Sequence, residues 1–154
     1  MGFNISIDPG RNTGFCVWTD GEPLGPRIKT LRPTGNDLAE MVASLCDLLD
    51  NEFIAIATQD TIDCVAVESF PVYHSVDKDP ARLWGTKKAM KVCSTFQGAI
   101  LAVAKNYAMR VEVQSKGRIK KTQTALLARA CGLKGSKDAL DAFQIGICAG
   151  FDKR

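Results

Sequence analysis

The chain has a single histidine, no Cys-x-x-Cys pair and no apolar run near the roughly 18 residues a membrane-crossing helix requires. The first two absences exclude an ordinary zinc site, which draws on short-spaced cysteine and histidine ligands. The third excludes a helical membrane span. The N-terminus also lacks a basic region leading into an apolar stretch and a small-residue cleavage site, so a soluble, unsecreted, cytoplasmic protein is expected. Six cysteines (16, 46, 64, 93, 131 and 148) are widely spaced, and several fall at apolar positions of expected strands or helices. They read as reduced core residues of a reducing compartment. No internal repeat or low-complexity segment interrupts the 154 residues, of which 45% are hydrophobic. That suffices for one domain spanning 1–154 with a real core, and is too short to divide comfortably into two.

Acidic residues are nearly missing from one stretch. Between Arg82 and Lys137 the chain carries 13 Lys or Arg and one acid, Glu112, while the rest holds 7 basic and 16 acidic residues. The net charge of +3 conceals this asymmetry. A lone Lys-Lys pair is usually a solvated helix face. Positive charge gathered over a third of the chain suits a polyanion. The stretch lacks the Trp- and Phe-rich apolar face of a helix lying on a membrane, so nucleic acid, and no membrane, is the expected partner.

Phe3, Ile5 and Ile7 alternate along a first strand that Pro9-Gly10 ends; Phe15 to Trp18 and Arg27 to Leu31 follow as second and third strands of an antiparallel meander. Thr34 to Asp37 caps a helix from Leu38 to about Asn51, with Leu38, Met41, Val42, Leu45, Leu48 and Leu49 at helical spacing. Cys64 to Val67 is an apolar run suited to a central strand covered on both faces. A loop follows from Ser69 to Pro80, then a long helix to about Asn106 with a basic exposed face, a short strand over 111–113, a basic connector over 114–119, and helices over 122–130 and 137–149. The order βββαβαβαα predicts an α/β domain, with a mixed sheet of five strands, the first three antiparallel, and helices on both faces. The apolar side of the long helix, with Met90, Phe96, Ile100 and Val103, is expected to cover the sheet; packing across a two-fold axis is the other use it allows.

Four carboxylates fall at ends of these elements. Asp8 closes the first strand, at the edge where open α/β sheets place ligands, although Asp-Pro-Gly is also ordinary turn chemistry. Glu68 follows Val65-Ala66-Val67 at the matching end of a neighbouring strand, and burying it unpaired would cost several kcal/mol, so it reaches solvent or a cation. Asp138 and Asp141, spaced i and i+3 in the first turn of the last helix, share one helix face. Either alone would serve the helix dipole behind a Ser136 cap. Together the four are hard oxygen donors without a His or Cys cluster, which favours magnesium, or manganese in its place, and the set can hold two ions.

Asp8-Pro9-Gly10 with Thr13-Gly14-Phe15, then Glu68, then Asp138-Ala139-Leu140-Asp141-Ala142, in this order and spacing, resembles the RuvC family of Holliday junction resolvases over nearly the full length. The resemblance implies an RNase H-like fold and a homodimer that resolves four-way DNA junctions by paired nicks, in recombination and repair, in a bacterial cell and encoded by bacterium or phage. It implies that Asp8, Glu68, Asp138 and Asp141 are the catalytic, metal-binding acids. Hydrolysis would use two magnesium ions, one activating water and one steadying the leaving 3′ oxygen, and would leave 5′-phosphate ends. Asp8 is the candidate bridging ligand. Some family members have histidine where this chain has Asp138.

Lys116, Arg118, Lys120 and Lys121 lie between a strand and a helix start, beside the expected acid cluster, where they would hold phosphates and not read bases. Lys87 and Lys88, with Lys91, extend that surface or form a solvated face. In similar resolvases an aromatic soon after the glutamate stacks at the opened junction centre, a role that here would fall to Phe70 or Tyr73; packing on their own domain is the alternative. His74, in the same loop, is not needed as a general base. The stretch 116–121 is richer in charge and poorer in glycine than in better-known members, so no cleavage-site preference carries over. Three other readings stay open: a broader flap and fork nuclease, an RNase H-like nuclease that processes RNA, and a module that binds branched DNA without cutting, which would need one of the acids missing or misplaced.

Overall fold

A computed structural model describes residues 2–19, 22–69, 80–115 and 121–153, without the side chains of 22–26, 80–86 and 121–122. Five strands form one sheet: β1 (Phe3–Asp8), β2 (Thr13–Thr19), β3 (Glu22–Leu31), β4 (Ile62–Glu68) and β5 (Ala108–Gln114). Their spatial order is β3-β2-β1-β4-β5. The first three pair antiparallel, and β4 joins β1, and β5 joins β4, in parallel. Helices α1 (Leu38–Ala57), α2 (Pro80–Ala104), α3 (Lys121–Ala130) and α4 (Lys137–Cys148) follow the expected order, and a short 3-10 turn (Phe151–Lys153) ends the described chain. This is the RNase H-like α/β fold. Among the described residues no helix is long and apolar enough to cross a membrane.

Strand alternation divides the interior into two halves. Ile5, Ile7, Phe15, Val17, Val65 and Val67 point to one face, where Leu45, Leu49 and Phe53 of α1 and Phe96 and Ile100 of α2 meet them. Cys16, Trp18, Cys64 and Ala66 point to the other, under Ala139, Ala142, Phe143 and Ile145 of α4 and Ala128 of α3. The long helix thus uses Phe96, Ile100 and Val103 in the core, as its spacing predicts. Small residues on the second face let α4 lie close to the sheet. There Trp18 stacks on Phe143 with ring centroids 4.9 Å apart and donates its indole N–H to Ser6 Oγ at 2.9 Å.

Several elements run longer than their sequence signals. β3 begins at Glu22 and not Arg27, through Pro23 and Pro26, which a sequence reading takes for loop. The strand lies at the sheet edge, where a missing N–H leaves no ladder bond unmade. α1 continues to Ala57 because Phe53 and Ile56 prolong its buried stripe and no Gly or Pro stops it. The Asp37 side chain accepts from Glu40 N at 2.8 Å, the cap the sequence predicts. β5 extends to Ala108–Gln114. All six cysteines are free, as expected, but only Cys16 and Cys64 are buried; Cys46, Cys93 and Cys148 are half-buried and Cys131 is exposed. Cys131 falls just past the last turn of α3, beyond the part of the helix that packs. Burial pushes the Cys16 thiol far up, so it stays neutral.

A β-carbon added at Gly146 would lie 2.3–2.5 Å from three atoms of the Trp18 indole. Alanine normally stabilises a helix interior by about 1 kcal/mol over glycine. Here overpacking decides the sign: Gly146→Ala should lower stability by about 1–3 kcal/mol, read as a fall in the urea midpoint.

Candidate active site

The site is built by strand pairing and one close contact. In the antiparallel β1–β2 pair Asp8 faces Gly14, and directly opposed residues project to the same face. A β-carbon on Gly14 would stand 1.8 Å from the Asp138 carbonyl oxygen and 3.1 Å from Ala142 Cβ, so the first turn of α4 rests directly on Gly14. Asp8 therefore projects toward the start of α4. In the parallel β1–β4 pair Ser6 sits beside Ala66 and Ile7 beside Val67, which makes Glu68 the neighbour of Asp8 on that same face. Asp138 and Asp141 occupy one side of the α4 N-terminus, whose Ser136 cap accepts from Ala139 N at 3.3 Å. The backbone thus carries all four sequence-predicted acids to one end of the sheet.

Asp8 and Glu68 are each 8% exposed, and both Asp138 and Asp141 are half-buried. The Gln97 side chain on α2 donates to the Glu68 carbonyl oxygen at 3.0 Å and ties that strand end down. The two strand acids also act on a common neighbour, Cys93 of α2. Its thiol pKa is raised first by burial and then by the negative charges of Asp8 and Glu68. As the side chains stand, no group of three or more His, Cys, Asp or Glu among the described residues is gathered closely enough to hold a metal ion. Like charges brought to one place repel, so closing such a set takes a counter-charge.

Two pockets flank the acids. One, of about 350 Å³, lies between α3 and α4 and is lined by Thr124, Ala125, Lys137, Leu140, Asp141 and Gln144. The buried Thr124 hydroxyl there has no hydrogen-bond partner among the described residues. The other, of about 370 Å³, lies between the β1–β2 turn and α2, lined by Arg11, Lys88, Ala89, Val92 and Cys93. Arg11, Cys93, Gln97 and Gly14's packing role escape a sequence reading, because isolated residues in a turn or along a helix carry no spacing signal. Lys87 and Lys88 are exposed on α2 and the Lys121 backbone starts α3. Lys116, Arg118, Lys120, Phe70, Tyr73 and His74 lie outside the described residues.

An open mixed sheet of this order with helices on both faces gives the chain an RNase H-like α/β fold. No protein-family model and no curated protein matches the sequence. Solved structures do match: Thermus thermophilus RuvC superposes with a TM-score of 0.70 over 97% of this chain and 93% of that one, at 20% identity. T. thermophilus RuvC in complex with Holliday junction substrate gives 0.66 over 98% and 94%, at 18% identity. The yeast mitochondrial Holliday junction resolvase Ydc2 gives 0.53 over 97% and 76%, at 12% identity. The chain is RuvC-like in fold over almost its whole length.

Gly14→Ala should force α4 off the sheet, because the obstructing atom is backbone and cannot turn aside. The expected result is a loss of about 1–3 kcal/mol in urea unfolding and faster amide exchange in the first turn of α4. An unchanged exchange rate there would refute the seating of Asp138 against β2.

Proposed function

We propose that the protein is a DNA endonuclease that resolves four-way junctions by hydrolysing phosphodiester bonds, and that it serves recombination and repair. The observation that carries this reading is the convergence of Asp8, Glu68, Asp138 and Asp141 on one sheet end, set by the β1–β4 register and the α4 contact at Gly14. Its RuvC-like fold supports it, since one such structure is described with Holliday junction substrate.

The donor set fits hard divalent cations: four carboxylates from three elements, with no His among the described residues and a raised-pKa thiol nearby. Asp8, Glu68, Asp138 and Asp141 would hold two magnesium ions, or manganese in their place. Bound there, the ions would supply a water nucleophile at neutral pH and charge neutralisation at the leaving 3′ oxygen. The chain's own part is positioning. Asp8 and Glu68 are held on paired strands, and Asp138 and Asp141 on a capped helix set against the sheet, so the backbone that carries them is already in place before a cation binds. Asp8, on the central strand beside both Glu68 and the start of α4, is the candidate for a ligand shared by both ions.

The exposed Lys87 and Lys88, and the basic run over 116–121, supply positive charge for the DNA backbone. Paired cuts in a two-fold junction need two such sites, and one chain provides one, so the acting form is a homodimer.

The test is incubation with labelled immobile four-way junction, flap, linear duplex and RNA–DNA hybrid, with magnesium or EDTA. Symmetric, magnesium-dependent nicks with 5′-phosphate ends in the junction are expected. Asp8→Asn should lower the rate by at least about 100-fold, the scale on which loss of one charge-stabilising group acts, with junction binding retained. Equal cutting of flaps would indicate a general branch nuclease, hybrid cleavage an RNA nuclease, and binding without cuts a junction-recognition module.

A further inference from the structure

The pocket between the β1–β2 turn and α2 has a composition unlike the rest of the site. Arg11 stands exposed at the turn, three residues after Asp8, and Lys88 is exposed on α2 across from it; Ala89 and Val92 form an apolar wall and Cys93 completes the lining. The turn is pinned by Thr13 Oγ1, which donates to the Gly10 carbonyl oxygen at 2.8 Å, so Arg11 projects from a fixed backbone. The pocket adjoins the carboxylates: Arg11 follows Asp8 by three residues, and Gln97, one helical turn beyond Cys93, donates to the Glu68 carbonyl oxygen at 3.0 Å, in keeping with the influence of both acids on the Cys93 thiol. Two cations from separate elements thus line a pocket next to the strand ends that carry two anions, and the volume of about 370 Å³ admits a phosphate group with part of its sugar.

We propose that Arg11 and Lys88 form a two-cation seat for one backbone phosphate of the cut strand, next to the phosphate that lies over the carboxylates. This rests on the nuclease reading above and adds a positioning site to it. A planar guanidinium offers paired N–H donors to phosphate oxygens, and an ammonium adds a point charge from the opposite wall. Ala89 and Val92 suit the carbon face of a deoxyribose. A strand gripped here is fixed in register relative to the acids, which is how a residue that touches no reacting atom raises a cleavage rate.

The seat is tested by junction affinity across a salt series and by single-turnover cleavage at saturating junction. Arg11→Ala and Lys88→Ala should each flatten the slope of log K against log salt by about 1. Each should also slow cleavage about 10-fold even with the junction saturated. Arg11→Lys should recover most of the slope. Lys105→Ala, an exposed lysine just past the far end of α2, should change neither readout. All three positions are exposed, so the four variants are expected to keep the parent's thermal melting. Parental slope and rate in Arg11→Ala and Lys88→Ala, in a parent that binds and cuts junctions, would overturn the seat alone. Flatter slopes with unchanged cleavage would reduce it to general attraction and overturn the positioning role. A parent that neither binds nor cuts branched DNA would overturn the nuclease reading and the seat with it.

Discussion

The contact between the first turn of α4 and Gly14 governs the architecture, because there a helix backbone touches a strand with no side chain between them. Helix and sheet normally keep the distance their intervening side chains set. Removing that layer at one point seats the start of α4 directly on the sheet and brings the helix turn that carries Asp138 and Asp141 to the sheet end that carries Asp8 and Glu68. The remainder of α4 is adapted to this approach: Gly146 lies against the Trp18 ring, and Ala139 and Ala142 face Cys16, Cys64 and Ala66. Small residues on both surfaces are therefore a condition of the site as well as of the core.

The second constraint is the two-residue period of the strands. Ile5, Ile7, Val65 and Val67 must face the large apolar layer under α1 and α2, so Ser6, Ala66 and their successors Asp8 and Glu68 face α4. A slip of one residue in either strand would bury a carboxylate among Phe15, Phe53 and Phe96, at a cost of several kcal/mol. The core thus enforces the register that the site requires. Gln97, reaching from α2 to the Glu68 carbonyl, holds the strand end against fraying.

Electrostatics give the sheet end its direction. Four acids sit there within a molecule whose stretch from Arg82 to Lys137 is strongly basic, and basic side chains approach from the β1–β2 turn, from α2 and from Lys137 at the start of α4. In the function proposed above, such an alternation would attract a chain of phosphates and leave the acids to a small cation, which would relieve the repulsion among four carboxylates.

Much of this was written locally. Element order and type, the Asp37 and Ser136 caps, and the buried stripe of α2 follow from periodicity and capping chemistry, which are properties of consecutive residues. The four candidate acids stand out in the sequence for the same reason, since each ends or begins an element. The full length of β3 was not legible, because Pro23 and Pro26 are accommodated by its edge position and by its irregular pairing with β2, and neither is a local property of the sequence. Nor was the partial exposure of four cysteines, or the pairing of Arg11 with Lys88 around one pocket. The amino-acid sequence by itself determined which residues could do chemistry and which face of each element they occupy. Tertiary structure alone decided which of them meet, because the β1–β4 register and the Gly14 contact join segments that are distant along the chain.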